Sequence, residues 1–169
     1  MRHDARNRAA GKLVIPDEVP DFVQTEVDRV RVLFKERQTI LPMGVVTLPD
    51  GRAGIVPMDL SNTEMKELSW LALRNVCARL HAKRAVFVSE AWAVTLSAEE
   101  CSGAPAPSEH LKRRECVIIT VDDALTGCWQ ASLPIERPAD QPADLGAVEI
   151  TRGASGRISR ILPDTERAN

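Results

Sequence analysis

Apolar positions recur along this chain with two different periods, one typical of helices and the other typical of strands. From Asp21 to Gln38 they follow the helical period, with Pro20 before and Pro42 after, so the pattern predicts a first helix. Its apolar face is interrupted only by Glu26 and comprises Phe22, Val23, Val27, Val30, Leu33 and Phe34. A helix with one apolar face is expected to pack against another element.

Two short apolar stretches follow this helix and predict a β-hairpin. The strands are expected at Met43 to Leu48 and Arg52 to Met58. Asp50 and Gly51 lie between them, and both tolerate the positive φ that tight hairpin turns require. Pro57 has no backbone N–H to donate, so it indicates either an edge strand or a strand end.

A second helix is predicted after Ser61. Ser61 and Glu64 have the spacing of a capping box, in which two side chains satisfy backbone donors at a helix start. The helix is so apolar that we expect it to be central, and its periodic positions are Met65, Leu68, Ala72, Val76 and Leu80. It ends in a cationic turn, where His81 complements the negative end of the helix dipole.

The second half of the chain is rich in β-branched residues and predicts consecutive strands around one loop. The predicted strands are Ala85 to Leu96, Glu115 to Val121, Cys128 to Arg137, Ala147 to Thr151 and Arg157 to Leu162. The loop spans Ser97 to Lys112, between the first two strands. Pro134 is expected to interrupt or end the third strand. This order predicts an α+β fold. Its largely antiparallel sheet, a hairpin followed by a meander, is expected to be covered on one face by the two helices.

Length and charge limit the number of domains and the classes of partner. The chain has 169 residues and a formal net charge of −2. We expect one α+β domain over residues 13–162, a flexible basic tail over 1–12 and a frayed end over 163–169. A nucleic-acid coat needs a basic face, a membrane span needs about 20 apolar residues and a secretory signal needs an apolar segment. The near-neutral net charge argues against the first, and the lack of such apolar runs in the sequence argues against the other two. We therefore expect a soluble cytoplasmic protein without nucleic-acid or membrane partners.

The four cysteines show no zinc or redox spacing. Cys77, Cys101, Cys116 and Cys128 form no C-x-x-C pair, and neither a G-x-G-x-x-G nor a P-loop pattern occurs. We expect reduced thiols, with Cys77 and Cys116 packed in the core, and no cofactor. Arg outnumbers Lys by 17 to 5, a bias typical of GC-rich bacterial genomes.

Carboxylates within predicted strands are the most informative positions for chemistry. Alternation places Glu90 and Trp92 on one face of their strand, and Glu115 on the corresponding face of the next. In one antiparallel register Glu90 lies opposite Glu115, about 5 Å away, and the two form a dyad that raises a pKa or recruits a metal. In another, Glu115 faces Val94, and Glu90 requires another partner, either Arg84 or an arginine from a helix. An ion pair at the sheet edge would explain these charges without an active site.

Titratable side chains are densest between Pro107 and Glu115. His110 is the best general base in the predicted fold, and with Glu90 and Glu115 it would suffice for a hydrolytic metal site. Arg113 and Arg114 face opposite sides of their strand and could hold an acidic group. The candidate binding residues are therefore Glu90, Trp92, Glu109, His110, Arg113, Arg114 and Glu115, with no catalytic or metal residue assigned.

Four short segments carry a resemblance to a group of proteins. They are Thr63-Glu64-Met65-Lys66, Val88-Ser89-Glu90-Ala91-Trp92, Pro107-Ser108-Glu109-His110 and Arg113-Arg114-Glu115. Their order over the middle third of the chain resembles the layout of small uncharacterised bacterial proteins, some of them near mobile elements. The resemblance implies no activity.

The absence of catalytic motifs favours a non-catalytic binding or assembly protein. We expect a homodimer formed through sheet edges or apolar helices, and as further partners a protein or a small acidic ligand. The alternative is a metal-dependent hydrolase or nuclease that uses Glu90, His110 and Glu115. A third hypothesis is nucleic-acid binding through the basic residues 1–12.

Overall fold

The sheet of this protein is antiparallel throughout and is built largely from consecutive strands. The structure is a computed structural model that describes residues 12–13, 18–94, 105–153 and 161–163. Its elements are β1 (Lys12–Leu13), α1 (Asp21–Arg37), β2 (Met43–Thr47), β3 (Ala53–Pro57), α2 (Thr63–Leu80), β4 (Arg84–Ala93), a 3₁₀ turn (Pro107–Glu109), β5 (Arg114–Asp123), β6 (Gly127–Glu136), β7 (Asp144–Leu145) and β8 (Glu149–Arg152).

The strand order confirms the α+β class and the largely antiparallel sheet. The order across the sheet is β1-β8-β6-β5-β4-β2-β3, and β7 pairs with β6. The long strands β4, β5 and β6 have ten residues each and form the centre. The hairpin β2–β3 extends one side of this centre, so β3 is an edge strand of the sheet that the described residues form.

The predicted hairpin is confirmed, with its turn as expected and each strand end within one residue of the prediction. Gly51 has a φ of 89°, a left-handed conformation that glycine adopts without steric cost. Pro57 lies in the edge strand, where its missing N–H removes no bond within the sheet. Pro134, by contrast, neither interrupts nor ends β6, because that strand continues to Glu136.

Helix α1 packs on the sheet as its apolar period predicts. Its buried residues pack against one face of β2, β4, β5 and β6, which we name the α1 face, and they are Val23, Val27, Val30 and Phe34. The helix ends at Arg37, and its C-cap residue Gln38 adopts a left-handed conformation with a φ of 58°. Arg31 joins α1 to the end of β7, since its guanidinium donates to the backbone oxygens of Leu145 and the following Gly146 at 2.7 Å each.

Helix α2 packs on the opposite face, so the expectation that both helices cover one face is wrong. Trp70 contacts Phe87 of β4 with ring centroids 4.6 Å apart, whereas the alternate residues Val86 and Val88 pack with α1. Because β4 is apolar on both sides, it can be covered on both sides. Gly44 of β2 allows the close approach of α2, since a Cβ at this position would lie 2.6 Å from Leu73 Cδ1.

Two further expectations for α2 are corrected. The helix begins one residue later than the capping box requires, because Asn62 is the N-cap and its Oδ1 accepts from the Met65 N–H at 2.9 Å. The helix also lies at the surface and is not central, since Leu68, Leu71 and Leu80 are at least half exposed. Packing uses only the stripe that contains Trp70, Leu73 and Cys77.

A buried carboxylate holds a later part of the chain against the α2 face. Asp122 is fully buried, and its Oδ2 accepts from the backbone N–H groups of Ile161 at 2.8 Å and Leu162 at 2.9 Å. Both of these side chains are buried in the α2 cluster. Asp122 therefore acts as a backbone acceptor inside the core.

Some predicted segments lie partly or wholly outside the described residues. These are the basic tail except for Lys12, residues 95–104 around the predicted loop, most of the strand at 157–162, and the end at 164–169. Lys12 belongs to β1 and pairs with Arg152. Neither α1 nor α2 is long and apolar enough to cross a lipid bilayer.

Candidate functional site

The register between β4 and β5 determines which predicted site residues meet. Trp92 lies opposite Glu115, and Glu90 lies opposite Val117. This pairing falls between the two predicted registers, so both are wrong. Glu90 and Glu115 are diagonal neighbours on the α1 face, a relation in which residues are about 7–8 Å apart. They do not face each other as a dyad.

A small cavity forms at this end of the sheet, beyond the end of α1. We name it the sheet-end pocket: it has a volume of about 160 Å³ and is lined by Glu90, Ala91, Trp92, Glu115 and Ile135. Glu90 is half-buried, and its Oε1 accepts from the backbone N–H of Ile40 at 2.7 Å. The partner of Glu90 is therefore a backbone donor just after α1, and the expectation that Arg84 pairs with it is wrong.

Two arginines accompany the acidic residues of the pocket. The Nε of Arg137 donates to Glu115 Oε2 at 2.7 Å, and this carboxylate, with a smaller contribution from Glu90, raises the pKa of Arg137. Arg113 lies over the Trp92 ring, with its guanidinium carbon 4.7 Å from the ring centroid, and also donates to the backbone oxygen of Ser108. The charges of two carboxylates and two guanidinium groups therefore balance one another at this end of the sheet. Glu115 and Arg137 form an ion pair of the kind predicted for the sheet edge.

Four of the predicted site residues do not line the pocket: Arg113, described above, and Glu109, His110 and Arg114. His110 follows the 3₁₀ turn, and its Nδ1 accepts from the Lys112 N–H at 3.0 Å. Glu109 is exposed in that turn, while Arg114 points to the other face of β5 and contacts Glu149 at 3.3 Å. Within the described ranges, no three or more His, Cys, Asp or Glu side chains form a group suited to a metal ion.

Sequence reasoning missed Ile40, Ile135 and Arg137, although a signal for the last two was present. The Thr126-Gly127 turn sets the register of the β5–β6 hairpin, in which Asp123 pairs with Gly127. Counting along both strands then brings Ile135 opposite Glu115, with Arg137 two residues further on. Ile40 could not be found in this way, because its contact depends on how α1 packs.

Two of the described cysteines, Cys77 and Cys116, belong to the core. Both are buried and form no disulfide bond with a described cysteine, which confirms the expected core packing. Burial, together with the nearby Asp122 charge, raises the pKa of Cys77 to about 11. Burial also raises the pKa of Cys116, whose thiol donates to Ala91 O at 3.4 Å. Both thiols are therefore poor nucleophiles at neutral pH. Cys101 lies outside the described residues.

A larger groove of about 590 Å³ lies between α1 and the chain from β6 to β7. It is lined on the helix by Arg31, Val32 and Lys35, and on the other side by residues that include Glu136 and Asp144. Arg31 is engaged by the backbone oxygens described above. The groove thus adds mixed charge and no cluster of reactive groups.

Comparison with known proteins found no relative of this chain. No protein-family model matches the chain, and neither the curated proteins nor the solved structures contain a significant match to it.

Proposed function

We propose that this protein is a non-catalytic binding or assembly protein. The observation that carries the proposal is the pairing of charged groups in the sheet-end pocket. Glu115 is bonded to Arg137, and Glu90 is bonded to the Ile40 N–H. A general acid or base must reach a substrate proton, whereas these groups are engaged by the fold itself. The pocket geometry therefore favours a structural role for its charges.

The alternative, a metal-dependent hydrolase with Glu90, His110 and Glu115, is less well supported. A catalytic zinc usually has three protein ligands and an open position. Glu90 and Glu115 line the pocket, but His110 does not. The imidazole Nδ1 is also occupied by a backbone N–H. These contacts favour the binding proposal over the hydrolase.

The proposal includes a cytoplasmic location in a bacterial cell. Buried thiols such as those of Cys77 and Cys116 are typical of a reducing compartment, and the Arg-rich composition supports a bacterial source. The resemblance given above adds an association with mobile elements. A small acidic ligand would have to share the Arg113 guanidinium with the Trp92 ring on which it stacks.

Calorimetric titration separates the two functions. Mg²⁺, Mn²⁺ and Zn²⁺ would each be titrated into the wild type and into Glu90→Gln, which keeps an oxygen for the Ile40 N–H. We expect only heats of dilution in both proteins. Saturable binding to the wild type that is lost in Glu90→Gln would replace the binding proposal with the hydrolase.

Light scattering after size-exclusion chromatography tests assembly directly. We expect the mass of the wild type to rise above the monomer value of 18.6 kDa as its concentration increases. A constant monomer mass up to millimolar concentration would count against self-assembly.

A further inference from the structure

The edge strand β3 carries no charged residue, which is unusual for an exposed sheet edge. Its sequence is Ala-Gly-Ile-Val-Pro, and Ile55 at its centre is 66% exposed. Among the described strands, β3 pairs only with β2. Natural edge strands are commonly protected by charged side chains, strong bulges or a covering element, because free backbone groups recruit other strands. In the described part of the chain β3 has none of these protections, and only Pro57 at its end limits pairing, because it has no N–H.

Hydrogen bonds at both ends of the hairpin show which backbone groups of β3 point outward. Leu48 N donates to Arg52 O at 2.8 Å, and Met58 N donates to Pro42 O at 3.2 Å. In an antiparallel pair, every second residue bonds to the neighbouring strand, so the even-numbered residues from 52 to 58 face β2. The N–H groups of Ala53 and Ile55 therefore point away from the sheet. Pro57 presents only its carbonyl oxygen.

We propose that a second copy of this chain pairs with β3 in an antiparallel arrangement whose two-fold axis passes beside Ile55. This inference rests on the proposed assembly function and names its partner and surface. In this register Ile55 lies opposite Ile55 of the second copy, and Ala53 lies opposite Pro57. The two sheets then form one continuous antiparallel sheet, which is the strand-addition mode of recognition.

The outward hydrogen-bonding groups are self-complementary in this register. The two Ile55 residues exchange both of their N–H···O bonds. Each Ala53 N–H meets a Pro57 oxygen, and the proline nitrogen needs no acceptor because it has no hydrogen. All four outward N–H groups are thus satisfied by a second copy. A two-fold interface requires such a match of a surface with itself.

The size and charge of the edge indicate a reversible dimer. Five residues extend over about 17 Å, so β3 alone supplies less than the roughly 1,200–2,000 Å² of a standard stable interface. No charged side chain lies within the paired strands, so the net charge of −2 on each chain places no like charges at the axis. We therefore expect dimerisation that depends on concentration within an accessible range.

Amide hydrogen exchange measured by NMR at increasing protein concentration tests the register. The amides of Ala53 and Ile55 should exchange rapidly in dilute protein and at least tenfold more slowly when the dimer forms. Gly54 and Val56 donate to β2 in both states and serve as internal controls that remain protected. Dimer formation without any slowing at Ala53 and Ile55 would overturn the proposal.

A matched pair of substitutions tests the surface by light scattering. Ile55→Lys places a charge at the axis and should leave the mass at the monomer value. Val32→Lys changes a residue of similar exposure, 58%, on α1 beside the groove to β7 and should retain the dimer. Circular dichroism would verify that both variants fold. If Ile55→Lys does not fold, the exchange experiment on the wild type decides whether β3 forms the interface.

The outcomes distinguish this inference from the proposed function. A wild-type dimer that persists in folded Ile55→Lys overturns pairing through β3 but leaves assembly intact. A wild type that stays monomeric at every concentration overturns this inference and the assembly part of the proposed function. The binding part would remain, with a strand of another protein as the occupant of this edge. Loss of the dimer in both lysine variants also contradicts a β3-specific interface.

Discussion

Asp123, at the end of β5, holds a turn and an arginine with one carboxylate. Its Oδ1 accepts from the backbone N–H groups of Leu125 at 3.1 Å and Thr126 at 2.9 Å, and Oδ2 accepts from Arg84 Nε at 2.9 Å. Asp123 is 4% exposed, and the Arg84 guanidinium lies 3.5 Å from the centre of the Phe22 ring. We expect Asp123→Asn to weaken the contact between the β5–β6 turn, β4 and α1.

The magnitude follows from the charge-assisted bonds that the amide cannot replace. The amide of asparagine is uncharged and has only one oxygen. If that oxygen accepts from the turn, the N–H₂ group faces the Arg84 guanidinium and cannot accept from it. A hydrogen bond to a charged group contributes about 1.5–3 kcal/mol, and removing one partner of a buried ion pair costs about 3–5 kcal/mol. Because Arg84 retains some solvent contact, we expect a loss of about 2–3 kcal/mol in the free energy of unfolding at pH 7.

The pH dependence of this loss has a definite sign. Burial raises the pKa of Asp123, but the bonds from Thr126, Arg84 and Leu125 outweigh burial and hold the pKa below its ordinary value of 3.8. A carboxyl group with a lowered pKa stabilises the fold above its unfolded pKa and stops doing so as the pH falls through its folded pKa. The difference between wild type and Asp123→Asn should be full at pH 7 and shrink below pH 3.8.

Urea unfolding monitored by circular dichroism between pH 7 and pH 2.5 provides the measurement. Asp50→Asn is the matched control, because Asp50 makes the same kind of turn and arginine bonds in the β2–β3 hairpin but is exposed. It should lose much less stability, since exposed ion pairs contribute little. Equal losses in the two variants, or a loss in Asp123→Asn that is independent of pH, would refute the reasoning.

Three further predictions concern buried and paired groups. Asp122→Ala leaves two buried backbone N–H groups without their acceptor and should cost about 2–4 kcal/mol in urea unfolding, whereas a loss below about 1 kcal/mol would contradict the buried-acceptor role. Glu115→Gln should change unfolding free energy by less than about 1 kcal/mol, because its ion pair is partly exposed, and a larger loss would indicate a buried pair. The thiols of Cys77 and Cys116 should resist Ellman's reagent at pH 8 until urea is added, and labelling of the native protein at the unfolded rate would disagree with their burial and raised pKa.

Local chemistry made the elements predictable, but the side on which each helix packs depends on contacts between distant residues. Turn residues identified the hairpin around Asp50 and Gly51, and periodicity identified both helices to within a few residues. The apolar run at the start of β4 was compatible with one covered face or with two. The structure uses two, because Gly44 leaves space for Leu73 of α2 on the side opposite α1. That fit depends on packing between α2 and β2, and periodicity within either element does not reveal it.

The same distinction explains why half of the candidate site was predictable. A short turn fixes β6 relative to β5, so the position of Arg137 near Glu115 could have been counted from the sequence. The chain between β4 and β5 is long, and its length does not set a register. A shift of two in residue sum would have placed Glu90 opposite Glu115, where like charges raise a pKa. The observed register gives each carboxylate its own donor, and that offset is the physical reason for preferring paired structural charges to an acid–base dyad.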